Sequence, residues 1–515
     1  MGQASRLTLP INDRNGSPET EHTSPPARWT RWIAFLLIAL LGLLLRLPQL
    51  GERPMHTDEA VNAYIIGQLL AGQPFTYDPR DRHGPALAAI AFPLARMQGA
   101  KAFSDLTESK LRMTTVLAGT VTILLFGAAV DTFGFVPCLI AALLFAGAPL
   151  PLYYDRYFIH ESIFVAATFG LILAGWRLCQ RQSLGYAAFA GACAALMLSS
   201  KETSVLHFLA LAGAAFVFWR WNPRGRGFNE LWRPKAALAA VAAFLLLSVM
   251  LFTWLGSDWN APAALLQALP HLLARARGEG HQGPLWYYLQ LLTGGWSGGV
   301  ISILAGVGFL QTARKPSPSP YLFLAVYALL LAVIYSLIPY KTPWLALNFW
   351  LPIALFAGLA IESLWRMPAK SPTFRRTIHV MCILIGIAAA ALIAHDTRLR
   401  VFVHPADEAN PYAYAHTSED LLGLPAEIDR LARQNAIAAP RIAVIASDPW
   451  PLPWYLRHVS EVGFWQPGQQ PGKADFYITS AEASDQYAEL LKDFRPEFFG
   501  VRPGVLTILW APAPR

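Results

Sequence analysis

The sequence predicts an α-helical polytopic membrane protein of about eleven transmembrane helices with a small C-terminal α/β domain. Three observations lead there. Hydrophobic residues make up 54% of the chain and charged residues 14%, whereas a soluble chain carries roughly 25% charged. Apolar runs close to the ~20 residues that cross a bilayer core recur along most of the length. The mean hydropathy of +0.36 is too low for a chain made only of spans, so polar loops and a soluble segment share the 515 residues.

Taken in order, residues 1–31 read as a cytoplasmic disordered tail, polar and rich in Pro and Ser. The run Trp32 to Leu47 is followed by no small-residue cleavage pattern and reads as a retained first helix. Further runs lie at 112–131, 135–151, 160–177, 184–199, 203–219, 236–255, 291–310, 321–338, 344–363 and 377–395. Together they define a transmembrane domain over 32–396 with a large first outer loop, 48–111. Within that loop Gly84 to Met97 is apolar but short and interrupted by Pro85 and Pro93, which predicts an interfacial or re-entrant piece.

From 397 to 515 the pattern changes to a small extracytoplasmic α/β domain. Leu421 to Gln434 and Ala481 to Leu491 read as helices, and Arg441 to Ala446, Phe476 to Thr479 and Val505 to Trp510 as strands. No Gly-rich loop follows a strand, so nucleotide binding is unsupported. Cys138, Cys179, Cys193 and Cys382 lie in or beside apolar runs, without the spacing of a disulfide framework or a zinc site.

Charge sets the expected orientation. The amino terminus and the loops 178–183, 220–235, 311–320 and 364–376 gather Arg and Lys and are read as cytoplasmic. The net charge of +8 is therefore a topology signal, with no nucleic-acid role. An odd number of spans places the C-terminal domain outside, in a multi-pass protein of the cytoplasmic (inner) membrane.

The outer loops hold acids and bases that topology does not require, and such groups at membrane depth are costly unless paired or functional. Thr57 is a good N-cap, and Asp58 and Glu59 after it open an amphipathic stretch along the interface. Carboxylates at a helix start stay ionised, which suits a base or a metal ligand as well as plain capping. Asp155 and Glu161 come from the next outer loop, with Arg156 and His160 available to orient or lock them. Acids from two loops, Asp58 and Glu161 above all, can hold a divalent cation such as Mg²⁺ or Mn²⁺. Lys201, Lys341, Arg82 and His83 add positive charge suited to a phosphate at headgroup level. Each alone could equally be a snorkelling residue.

These segments carry a resemblance. Arg53-Pro54-Met55-His56-Thr57-Asp58-Glu59-Ala60 looks like the first outer loop of the polytopic GT-C glycosyltransferases, which include protein O-mannosyltransferases and lipid A aminoarabinose transferases. With Asp81-Arg82-His83-Gly84-Pro85, Tyr154-Asp155-Arg156-Tyr157-Phe158-Ile159-His160-Glu161, Ser200-Lys201-Glu202-Thr203 and Lys341-Thr342-Pro343-Trp344, the chain is similar to the prokaryotic family named "flippase activity-associated protein". Trp450-Pro451-Leu452-Pro453-Trp454-Tyr455-Leu456-Arg457 fits it too.

The resemblance implies transfer of a hexosyl or pentosyl group from a polyprenyl-phosphate sugar to a glycan, lipid or protein acceptor at the outer face of the bilayer. Asp58 would be the base, with Glu59 beside it, and Lys201 and Lys341 would bind the donor phosphate. A second acidic position, sometimes a metal ligand, maps onto Asp155 or Glu161. No D-x-D motif is present, which leaves metal dependence open. The competing expectation is a non-catalytic, flippase-associated or transporter-type membrane protein for lipid-linked glycans.

Overall fold

The computed structural model describes residues 28–80, 83–181, 183–221, 233–276, 281–313, 319–369 and 371–513. The expected disordered tail falls outside them as far as residue 27, as does Arg82. Among the described residues, eight helices are long and apolar enough to cross a membrane. The pair Tyr287–Thr293 and Gly295–Thr312, bent by 105°, is long and apolar enough only when its two helices are taken together, as a broken span or a re-entrant loop.

Every one of the expected apolar runs is helical, but two helices fall short of a span. Phe135–Gly147 has 13 residues and Leu184–Ser200 has 17. The first is cut at Gly134, whose φ of +94° a side chain rarely adopts, and ends before Pro149 opens the separate short helix Pro149–Tyr154. The predicted interfacial piece is the helix Ala86–Met97. Its buried alanines 88, 91 and 95 recur at three- and four-residue spacing.

The first loop contributes a helix, Thr57–Leu70, whose start differs from the expected one. His56 and not Thr57 is the N-cap: its Nδ1 accepts from the Asp58 amide at 3.0 Å, and the Glu59 carboxylate accepts from the His56 amide at 3.1 Å. The two orphan amides are satisfied reciprocally.

The C-terminal region holds a five-stranded sheet. Its strands are β1 (Arg441–Ile445), β2 (Glu461–Trp465), β3 (Phe476–Ser480), β4 (Phe494–Arg502) and β5 (Val505–Pro512), in the order β2-β1-β3-β5-β4. β1 pairs in parallel with β2 and β3, while β5 runs antiparallel to β3 and β4. The expected helix over 481–491 is broken into short turns, Ala481–Ser484, Asp485–Tyr487 and Ala488–Leu491.

This sheet shares a hydrophobic core with the first loop. Met55, Ala60, Ile66, Leu87 and Leu111 pack in one cluster with Ile442, Val444, Trp454 and Tyr455. Tyr455 Oη accepts from the Met55 amide at 2.9 Å, and Trp454 Nε1 donates to Glu108 at 2.8 Å. The first loop is thereby held between the helical bundle and the sheet.

Candidate active site

Most of the acids singled out in the sequence are neutralised in place. The Glu59 carboxylate is fully buried and receives Arg112 Nε and Nη2, each at 2.8 Å, and the Phe158 amide at 2.8 Å. Burial alone would raise its pKa, but the charge and hydrogen bonds of Arg112, with help from Arg53 and the Phe158 amide, bring it to about 2. Arg112 also donates to the carbonyls of Leu50, Arg53 and Pro54, so a single buried pair folds the chain around residues 50–59.

Asp155 has a similar role one loop away. Its carboxylate takes Arg46 Nε at 3.0 Å and Nη2 at 2.6 Å, and Ser162 Oγ at 2.6 Å. Arg46 spends its other donors on the carbonyls of Gly42, Phe145 and Ala146. A Cβ at Gly119 would overlap the Asp155 carboxylate, which requires glycine there. Asp155 therefore ties three helices together at the membrane edge, and burial raises its pKa despite Arg46 and Ser162. Arg156 turns away from the acids, donating to the Pro48 carbonyl at 2.7 Å and lying over Phe402.

Glu161 pairs with Lys201 through a buried hydrogen bond. Next to it, His83 Nδ1 lies 2.9 Å from Glu202, whose other oxygen accepts from Tyr77 Oη at 2.9 Å. These partners overcome burial and hold Glu202 at about 2. The His83 and His160 rings are 5.2 Å apart, and burial, with His83 and Lys201 nearby, keeps His160 well below the usual histidine range. The segment can lie this close because Gly84 has no side chain: a Cβ there would overlap the Ser199 carbonyl. Lys341 Nζ caps the helix Pro320–Leu337 through the carbonyls of Tyr335, Ser336 and Ile338, 5.4 Å above the Tyr288 ring.

Asp58 is different. It is half-buried, and among the described residues its carboxylate has no hydrogen bond or ion pair. His56, which caps its helix, lies beside an aromatic group: the His56 ring is 5.4 Å from Tyr157, 6.0 Å from Trp344 and 5.6 Å from His416. Since His56 Nδ1 accepts from the Asp58 amide, Nε2 carries the proton and donates to the Tyr414 carbonyl at 3.2 Å. His56 is thus neutral, and burial lowers its pKa. One helical turn on, Asn62 and the His83–His160 pair line a shared cleft with Phe158. Asp58 and Asn62 thus stand one turn apart on the helix Thr57–Leu70, with Asn62 beside the His83–His160 pair.

Glu161 is already matched by Lys201, and no three His, Cys, Asp or Glu side chains gather in a metal-holding group among the described residues. Sequence reasoning missed Arg112, whose signal was a charge at the mouth of an apolar run. It also missed His281, Tyr414 and His416. His281 Nδ1 lies 2.6 Å from Tyr414 Oη, and nothing in the local pattern of the segment 404–418 marks those residues as part of a site.

Residues 92–254 match the dolichyl-phosphate-mannose-protein mannosyltransferase family. The structure is similar to that of ArnT from Cupriavidus metallidurans bound to undecaprenyl phosphate, with a TM-score of 0.65 and 17% identity over 94% of this chain and 98% of that one. It is also similar to the archaeal oligosaccharyltransferase AglB from Archaeoglobus fulgidus, in complex with an inhibitory peptide and a dolichol-phosphate. That match has a TM-score of 0.56 and 12% identity over 94% of this chain and 74% of the other. No curated protein matches the chain. With its helical bundle, its first loop and its C-terminal sheet so arranged, this chain has the GT-C glycosyltransferase fold.

Proposed function

We propose that the protein is a membrane glycosyltransferase that moves a sugar from a polyprenyl-phosphate donor to an acceptor hydroxyl on the outer face, the face carrying the sheet domain. The observation that carries this reading is the carboxylate of Asp58, unpaired among the described residues, beside Glu59, Asp155, Glu161 and Glu202, which all have partners. Asp58 takes the proton of the acceptor hydroxyl as its oxygen attacks the anomeric carbon. The bond from that carbon to the phosphate oxygen breaks, and polyprenyl phosphate leaves with the electron pair, inverting the anomeric centre. His83 and Lys201, with Lys341 and Arg82, are proposed to offset the charge that develops on the phosphate. No step is routed through a metal ion, because Glu161 is occupied by Lys201.

A carrier that passes a headgroup across the bilayer needs polar groups through the membrane depth. At the opposite end Asp131 is instead half exposed and paired with Arg31 at 3.7 Å and Arg177 at 3.3 Å. The test uses purified protein and a polyprenyl-phosphate sugar. Acceptor-dependent release of polyprenyl phosphate is expected, and it should fall at least ~100-fold in Asp58→Asn. Headgroup movement in proteoliposomes with no release of the lipid phosphate would reject the transferase.

A further inference from the structure

A cleft of about 200 Å³ opens between residues 49–53, which follow the helix Arg28–Arg46, and residues 401–405, which follow the helix Pro372–Thr397. Arg53, Arg112 and Arg156 line it. Arg112 is matched by Glu59, but the other two are not matched in the same way. Arg53 approaches Glu59 only to 3.7 Å, where Arg112 already holds both oxygens, and lies over the Tyr153 and Tyr157 rings at 4.8 and 4.7 Å. Arg156 has no ion pair among the described residues. Burial first, and then the charges of Arg53, Arg112 and Arg46, push its pKa down to about 9, against a smaller opposing effect of Glu52.

The hydrogen bonds tell the same story. Arg53 and Arg156 are only 6% and 5% exposed, yet Arg53 Nε and Arg156 Nη1 are buried with no partner. A buried donor left unsatisfied costs roughly 1–3 kcal/mol, more when charged. Here two of them belong to side chains lining one cleft. The rim acids Glu52 and Glu419 are exposed and form no ion pair with either arginine.

We propose that this cleft is an oxyanion-binding site in which Arg53 and Arg156 hold a phosphate or carboxylate group. Asp58 is not among the residues lining it, and the proposal does not depend on the transferase reading. Two sources share this chemistry. The helix ends forming the walls belong to outward-facing spans, Pro372–Val403 with 0% and Trp29–Arg46 with 28% of their apolar windows buried. A phospholipid headgroup can therefore enter from the side, and a soluble oxyanion from the water.

The test measures thermal unfolding of the full chain. One arm titrates inorganic phosphate in neutral detergent at constant ionic strength. The other compares nanodiscs of phosphatidylcholine with and without phosphatidylglycerol. A saturable rise of about 3 °C or more, lost in Arg156→Gln, is expected in at least one arm. A rise with phosphate indicates a soluble oxyanion, and a rise only with the anionic lipid indicates a headgroup. No rise in either arm, or one that survives Arg156→Gln, overturns the site. Should Arg156→Gln fail to fold, the exposed rim variant Glu419→Gln decides: it should tighten binding of the effective probe several-fold by removing a repelling charge, and unchanged affinity overturns the proposal.

Discussion

Asp58 and Glu59 are adjacent acids of the same charge, and their surroundings give them opposite roles. Glu59 is a folding residue. Glu59→Gln leaves Arg112 buried without its counter-charge, at a cost of about 3–5 kcal/mol, whereas Asp58→Asn should melt within ~1–2 °C of the parent while losing transfer. Calorimetry on the two variants beside the transfer assay separates the roles. The pH profile follows from the same contacts. His56, His160 and His416 are all held below the usual histidine value by burial. The unfolded chain therefore binds more protons below about pH 6.5, and stability falls as the pH drops through that value. Glu59 and Glu202 sit near 2 when folded, against 4.5 unfolded. Their contribution is complete above pH ~4.5 and is lost as the pH falls toward 2. Melting temperature should thus be steady above pH 7 and decline in two stages, and a profile flat down to pH 5 would contradict the histidine stage. The presence of these acids was legible in the sequence. Their partners were not, because Arg112 lies 53 positions from Glu59 and Arg46 lies 109 from Asp155, and pairing at that separation leaves no local period.

At the scale of elements, the apolar runs were readable because a span must be continuously apolar over a known length. The run read over 135–151 escaped that rule, since the chain breaks before Pro149 and leaves Phe135–Gly147 short. In the sheet, the three central strands β1, β3 and β5 were legible from their apolar runs. The strands missed, β2 and β4, are its two edges. β2 has no buried alternation, and β4 carries Pro496, tolerated at an edge because no partner needs its amide there. The turn at Gly84 offers a sharper test. Gly84→Ala must push the His83 segment off Ser199, so transfer should drop at least ~10-fold and the melting temperature by several degrees. Equal activity and stability in the alanine variant would mean that the close approach does no positioning.

For the whole molecule, the C-terminal region is part of the structure around Asp58. Removing residues 397–515 is therefore no clean test of acceptor choice, since it strips Tyr455 from the Met55 amide, Thr417 from the Met55 carbonyl and Tyr414 from His56. A chain ending near Val403 is expected to insert in the membrane but to expose residues 48–107 to protease, and protection equal to that of the full chain would show that the loop folds unaided. The segment 404–418 also fixes an order of events. It accepts from Tyr153 and Tyr154 through the carbonyls of Pro405 and Tyr412, and brings His416 beside His56 only once the chain has returned from its last span. A newly made chain therefore carries Asp58 through nearly all of synthesis without the segment that packs against His56, so these surroundings are completed last, when the C-terminal region docks.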